Sequence, residues 1–201
     1  MKILVMSDTH IPKLEPSEIQ AVADASDFPT FPEIMREKMK EADVIVHAGD
    51  FESKEIFDLF EKTGKLKAVH GNNDGKEIQA KIPEKRVFEE NGVKFGVIHQ
   101  AGVSLNENTS RWYLAREMGV DVLIFGHIHT PMIDEYHGKY LICPGSPIKA
   151  RMSEPSVVEI ELDEQKPGIV GDIRVIPVGA AACGYLKFMN RLEEENGKGE
   201  K

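Results

Sequence analysis

The 201-residue chain carries 25 basic against 34 acidic side chains, a formal charge of −9, and is 41% hydrophobic and 29% charged. A chain this apolar can bury a real core, which excludes whole-chain disorder. The acidic balance excludes non-specific nucleic-acid binding through a basic face, while leaving room for a local positive site.

In chain order, Ile3–Met6 reads as a first strand and runs into Ser7-Asp8-Thr9-His10. The opening Met1-Lys2-Ile3-Leu4-Val5-Met6 is too short for the apolar region of a secretion signal, and no run approaches the roughly 18 apolar residues of a membrane helix. A cytoplasmic protein with no membrane partner is expected. The Pro-punctuated stretch from Pro12 to Pro32 follows, read equally as a rim to the site and as a surface excursion. Pro32–Ala42 then has helical period, with Pro suited to a first turn. Val44–His47 is a second strand ending in Ala48-Gly49-Asp50, and Ser53–Thr63 a helix stopped by Gly64. Leu66–Val69 is a third strand, leading into His70-Gly71-Asn72-Asn73-Asp74. Phe95–Ile98 runs directly into His99, Asn108–Met118 is a helix stopped by Gly119, and Val122–Phe125 leads into Gly126-His127-Ile128-His129. This rhythm predicts an α/β fold with a largely buried parallel sheet. Beyond it, Tyr140–Cys143, Val157–Leu162 and Ile173–Val178 read as strands joined by Pro, Gly and Asp turns, with antiparallel pairing expected. A single domain over 1–190 and a charged, frayed tail over 191–201 complete the reading.

Five strand-like runs thus deliver metal-competent side chains at their carboxyl ends, the edge at which open α/β sheets bind ligands. Asp8 with His10, and His127 with His129, leave one residue between the pair, so an extended or turning backbone can aim both at one spot. The glycines at 49, 71 and 126 each precede a candidate ligand, where the backbone must turn sharply or approach something closely. Asp8, His10, Asp50, Asn72, His99, His127 and His129 form a nitrogen and oxygen donor set without sulfur, too large for one tetrahedral ion. It suits two divalent ions sharing a carboxylate, of the borderline kind (Mn, Ni, Fe, Co or Zn, with Mn placed first). His47 and His70 are read as core or supporting residues, Cys143 and Cys183 as inert thiols, and Trp112, Tyr113 and Met118 as packing. Arg111 and Arg151 are read as solvated charges, and Asp74 equally as a turn former and as a group orienting a ligand imidazole. Neither Ser7 nor Ser146 has an assignable base, which argues against a covalent hydrolase.

The order Asp-x-His, Gly-Asp, Gly-Asn-x-Asp, His, Gly-His-x-His, over roughly residues 1–180, closely resembles the calcineurin-like metallophosphoesterases, in particular their small bacterial and archaeal phosphodiesterase branch. Cys143-Pro144-Gly145-Ser146 partly matches that branch's Asn-Pro-Gly-Ser. The resemblance implies a layered two-sheet β-sandwich core flanked by helices. It implies that Asp8, His10, Asp50 and His129 hold one ion and Asp50, Asn72, His99 and His127 the other, with Asp50 bridging. It further implies a phosphoesterase, of phosphodiesterase type, in which a bridging hydroxide attacks phosphorus in line on a small phosphate ester. Two departures stand out. Asn73 occupies the place where many members have a His able to protonate the leaving oxygen, and His99 is followed by Gln100-Ala101-Gly102 rather than Gly-His. Asn73 and Asp74 are therefore carried as candidate substrate or ligand-supporting contacts, and esters with good leaving groups are the expected substrates. The alternative is a non-catalytic, metal-binding scaffold for protein assembly.

Overall fold

The computed structural model describes residues 1–11, 31–102 and 106–179. Its strands are β1 (Lys2–Met6), β2 (Val44–His47), β3 (Leu66–Ala68), β4 (Lys85–Glu90), β5 (Val93–Ile98), β6 (Val122–Phe125), β7 (Pro131–Tyr136), β8 (Lys139–Pro144), β9 (Ser156–Leu162) and β10 (Val170–Pro177). Helices α1 (Glu33–Glu41), α2 (Lys54–Lys62), α3 (Lys76–Gln79) and α4 (Asn108–Met118) lie between them. The stretch 12–30, the tail 191–201 and Cys183 lie outside the described residues.

Alternation along each strand explains the layering. In β1, Ile3 and Val5 point into a core shared with Val93, Phe95, Val122 and Ile124. Leu4 and Met6 point the other way, onto Met35 and Met39 of α1 and Phe57 and Phe60 of α2. In β6, Val122 and Ile124 face the shared core, while Leu123 and Phe125 pack under α4 beside Ala115 and Leu141. Strands buried on both faces need side chains that are apolar throughout, which is why continuous apolar runs became strands. The result is two mixed sheets, ordered β10-β9-β1-β2-β3 and β4-β5-β6-β8-β7, packed face to face with helices outside. The ends of the helices follow from local chemistry: Ser53 accepts the Ile56 amide to cap α2, and Gly119, at φ 67°, closes α4 in the left-handed conformation.

The layered sandwich agrees with the fold expected from the family resemblance, whereas the single parallel sheet read from strand rhythm is corrected. The ligand-bearing strands divide between two sheets, β1, β2 and β3 in one and β5 and β6 in the other. The expected antiparallel pairing late in the chain holds for β9 with β1 and β10, but β8 runs parallel to β6. The cause is β7: the chain leaves β6, returns as the outermost strand, and turns to insert β8 between the two. Edge strands β4 and β7 and the one-turn helix α3 escaped the sequence reading. β4 alternates half-buried and exposed residues and has no apolar run. No helix among the described residues is long and apolar enough to cross a membrane.

Candidate metal centre

Just past the strand ends the backbone makes the same turn three times. Asp8 and His10, Asp50 and Glu52, and His127 and His129 all have φ between 45° and 71°, each pair leaving one residue between. Left-handed conformations cost about 1–2 kcal/mol per non-glycine residue, so they persist only where the surroundings enforce them. Here they are enforced. Asp8 and His10 donate their amides to the Gly49 and Asp50 carbonyls at 2.9 and 3.0 Å. The His127 amide reaches Asp8 Oδ2 at 3.0 Å, and the buried Ser146 hydroxyl donates to the Asp8 carbonyl at 2.7 Å. A turning backbone, more than an extended one, is therefore what aims each pair at one spot. Two of the glycines noted in the sequence admit this crowding: a Cβ at Gly71 would collide with Asp50 Oδ1, and one at Gly126 with Ser7 Oγ.

The turns bring all of the expected ligands into one cluster. His129 Nε2 lies 3.1 Å from Asp8 Oδ1, and His10 Nε2 lies 3.7 Å from Asp8 Oδ1 and 3.5 Å from Asp50 Oδ2. On the far side His99 Nε2 stands 3.4 Å from the same Asp50 oxygen. It is 3.0 Å from Asn72 Oδ1, which His127 Nδ1 approaches at 3.1 Å. Asp50 thus sits where the two halves meet. Asp8, His10, Asp50, His99 and His129 are buried, His127 is half-buried, and Asn72 opens to solvent.

The protonation pattern fits cations in this cluster. A carbonyl oxygen can only accept, so His99 Nδ1 donates to Ala48 O and His129 Nδ1 to Lys149 O, each at 2.7 Å. His10 Nδ1 likewise donates to the Glu52 carboxylate at 2.6 Å. Each neutral ring is left with a bare Nε2 lone pair aimed at carboxylate oxygens or at another bare nitrogen: His10 Nε2 and His129 Nε2 are 3.1 Å apart. Asp8 Oδ1, fully buried among them, has no hydrogen-bond partner among the described residues. Lone pairs facing lone pairs in a buried site are what a divalent ion relieves, and outer acceptors that fix the imidazole tautomer are the usual support of histidine ligands. Two groups of ligand atoms, Asp8 with His10 and His129, and Asp8 with Asp50 and His99, lie within 4.8 Å of one another.

The field agrees. Burial pushes the Asp8 carboxyl upward, but His10, His129, His99 and Ser7 outweigh it and hold the group well below the usual carboxylate range. Asp50 is brought down to about 2 against its burial, chiefly by His99 and the Asn73 donors. The carboxylates in turn lift His10 and His99 above the ordinary imidazole value despite burial. His127 is lowered by burial and by its neighbour His99.

Several sequence expectations are corrected or sharpened. Asp74 does not orient an imidazole. Its buried carboxylate accepts the amides of Asp50, Phe51, Glu52 and Gly71 at 2.7–3.0 Å, stitching the Asp50 turn to the Asn72 turn. Asn73 clamps the Asp50 carboxylate, donating its amide to Oδ1 at 2.8 Å and its side-chain NH2 to Oδ2 at 2.6 Å. Arg111, read as solvated, is 0% exposed, and Tyr113, read as packing, is 59% exposed. His47 is buried, pushed down to about 3 by desolvation and stacked on Phe51 at 3.6 Å, as befits a core residue. Cys143 is buried, and burial pushes its thiol up to about 12, which disfavours the reactive thiolate. Glu52 was missed, although a signal existed: Gly49-Asp50-Phe51-Glu52 repeats the spacing of Gly126-His127-Ile128-His129.

A family model described as the calcineurin-like phosphoesterase superfamily domain matches residues 1–165. A protein of Methanothermobacter thermautotrophicus named "Probable metallophosphoesterase" is 35% identical over 188 residues, covering 94% of this chain and 99% of that protein. A phosphodiesterase of Methanocaldococcus jannaschii is 29% identical over 160 residues, covering 72% and 83%. Among solved structures, an archaeal phosphodiesterase superposes with a TM-score of 0.59 at 25% identity, over 88% of this chain and 98% of that one. Vps29 of Entamoeba histolytica, solved with Zn2+, has a TM-score of 0.65 at 21% identity over 89% and 100%, a likeness of fold alone.

Proposed function

The chain belongs to the calcineurin-like phosphoesterase superfamily, and on that footing we propose that it is a phosphodiesterase with two divalent ions, Mn first among the borderline metals. Asp8, His10, Asp50 and His129 hold one ion; Asp50, Asn72, His99 and His127 hold the other. The observation that carries this reading is the set of bare Nε2 lone pairs converging on Asp8 and Asp50, with Asp50 Oδ2 within 3.5 Å of ligands from both halves. Bound there, two divalent ions supply an acidified water and counter the charge that builds on the phosphoryl oxygens during in-line displacement. Two dications outweigh the carboxylates of Asp8 and Asp50, so a small anionic ester is attracted in spite of the acidic chain.

The chain's own residues set geometry and selectivity. Asn73 fixes the Asp50 carboxylate through both its donors, and its amide has no proton to give a leaving oxygen. Activated phosphodiesters and other esters with good leaving groups, whose departing oxygen carries its charge without protonation, are therefore the substrates of choice over alkyl phosphomonoesters. Support comes from the relative named a phosphodiesterase and from the archaeal phosphodiesterase structure.

A panel of phosphodiesters and phosphomonoesters assayed with saturating Mn2+ tests the proposal. Alkyl phosphomonoesters are expected to lag by at least about 10²-fold, the usual contribution of a general acid, and Asp50→Ala to abolish turnover with the fold unchanged. Equal turnover of both classes removes the selectivity argument. Ions bound with no turnover of any ester favours the scaffold reading, to which Asn73 lends its weight.

A further inference from the structure

Arg111 is a fully buried guanidinium that the site description above leaves without a role. It lies in the first turn of α4. Its Nε donates to the Ala101 carbonyl at 3.0 Å, and its plane stands 4.4 Å over the ring of Phe125. Its Nη1 approaches Asn108 Oδ1 at 3.5 Å and Met132 Sδ at 3.8 Å. Burying a guanidinium is costly, and the environment pulls its proton affinity down through desolvation. An aliphatic side chain would fill the same space without that penalty.

Besides the favourable charge of Glu107, the guanidinium joins two strand ends of the site. Ala101 is two residues past His99, and Phe125 is two residues before His127. The same two strand ends are linked by the Gly126 amide donating to the His99 carbonyl at 2.9 Å. A planar cation with an apolar face and donors on its edge can meet an aromatic ring and a carbonyl together, which lysine's compact ammonium cannot. The ligands of the other half are braced elsewhere, His10 by Glu52, His129 by the Lys149 carbonyl, and Asp8 by Ser146.

We propose that Arg111 is a positioning residue chiefly for the second ion, fixing the separation of the strand ends that carry His99 and His127, while the Asp8, His10 and His129 half rests mainly on its own braces. This rests on the two-ion reading above.

The test is calorimetric titration with Mn2+ of the whole metal-free chain, of Arg111→Met and Arg111→Lys, and of His127→Ala and His129→Ala as references for loss of either half. Arg111→Met should bind one ion with unchanged affinity and the other about 10–100-fold more weakly, the usual cost of losing an outer support. It should match His127→Ala and not His129→Ala. Its Mn2+ paramagnetic resonance should shift from that of an exchange-coupled pair to that of an isolated ion. Arg111→Lys should fall between parent and Arg111→Met. Two ions bound by Arg111→Met with parental affinities, or both weakened equally, overturns the proposal. If circular dichroism shows Arg111→Met unfolded, Arg111→Lys decides by the same criterion, and failure of both to fold overturns it in favour of a plain core role. A parent chain that binds fewer than two ions instead sinks the two-ion reading.

Discussion

Glu52 holds the Nδ1 proton of His10 at 2.6 Å, and so decides which nitrogen of that ring faces the cluster. Glu52→Ala is expected to weaken Mn2+ binding about 10–100-fold, measured by calorimetry. Glu52→Gln, which still offers an oxygen to the ring, should recover most of it; equal losses in both variants would show that the charge of Glu52 matters more than its acceptor. At this scale the candidate ligands were legible because each sits in a motif of two to four residues, and a local pattern survives without knowledge of the fold. Glu52 was within reach of the same reading, through the spacing it shares with His129. Asp74 was legible as the last residue of Gly-Asn-x-Asp, though its grip on amides more than twenty residues away was not. Arg111, which acts through Phe125 and Ala101 on other elements, has nothing in its immediate neighbours to mark it.

Among the strands, those buried on both faces disclose themselves most plainly in the sequence, as continuous apolar runs. β1, β2 and β6 announced themselves as apolar runs, whereas β4 and β7, at the two edges of their sheet, did not. β9 shows a second kind of hidden information. Within its largely buried stretch, Glu159 is held by Arg174 of β10, at 2.5 and 3.1 Å, and by Lys38 of α1 at 3.1 Å. Burial alone would raise its carboxyl; the two cations keep it below the ordinary glutamate value. A lowered folded value means stability that is fully present above the unfolded value and drains away as pH falls through the folded one. Glu159→Gln is therefore expected to cost about 1–2 kcal/mol near neutrality, discounted because Arg174 is half exposed. In urea titrations the gap to the parent should hold above the ordinary glutamate value and close as pH falls from there through the lower folded one. A gap independent of pH would mean that shape and hydrogen bonding, not charge, hold this corner.

For the molecule as a whole, the proposed ions bind only the folded chain, so they add to its stability by mass action. At Mn2+ about a hundredfold above the dissociation constant the gain is about 2.7 kcal/mol for each ion, or on the order of 5–10 °C in Tm per ion for a chain of this length. A calorimetric scan with Mn2+ against one with chelator checks it; coincident transitions would deny any linkage between ions and folding. The sandwich itself was legible only through family resemblance, since strand rhythm by itself suggested one sheet. That division into two sheets has a mechanical meaning. Asp8, His10, Asp50 and Asn72 follow strands of one sheet, while His99, His127 and His129 follow strands of the other. Each ion of the proposed pair takes donors from both leaves, so the pair rivets the sandwich along a single margin. Behind them the margin keeps its own links across the leaves, His99 to Ala48 and His127 to Asp8, in front of the apolar seam of Ile3, Val5, Phe95 and Val122.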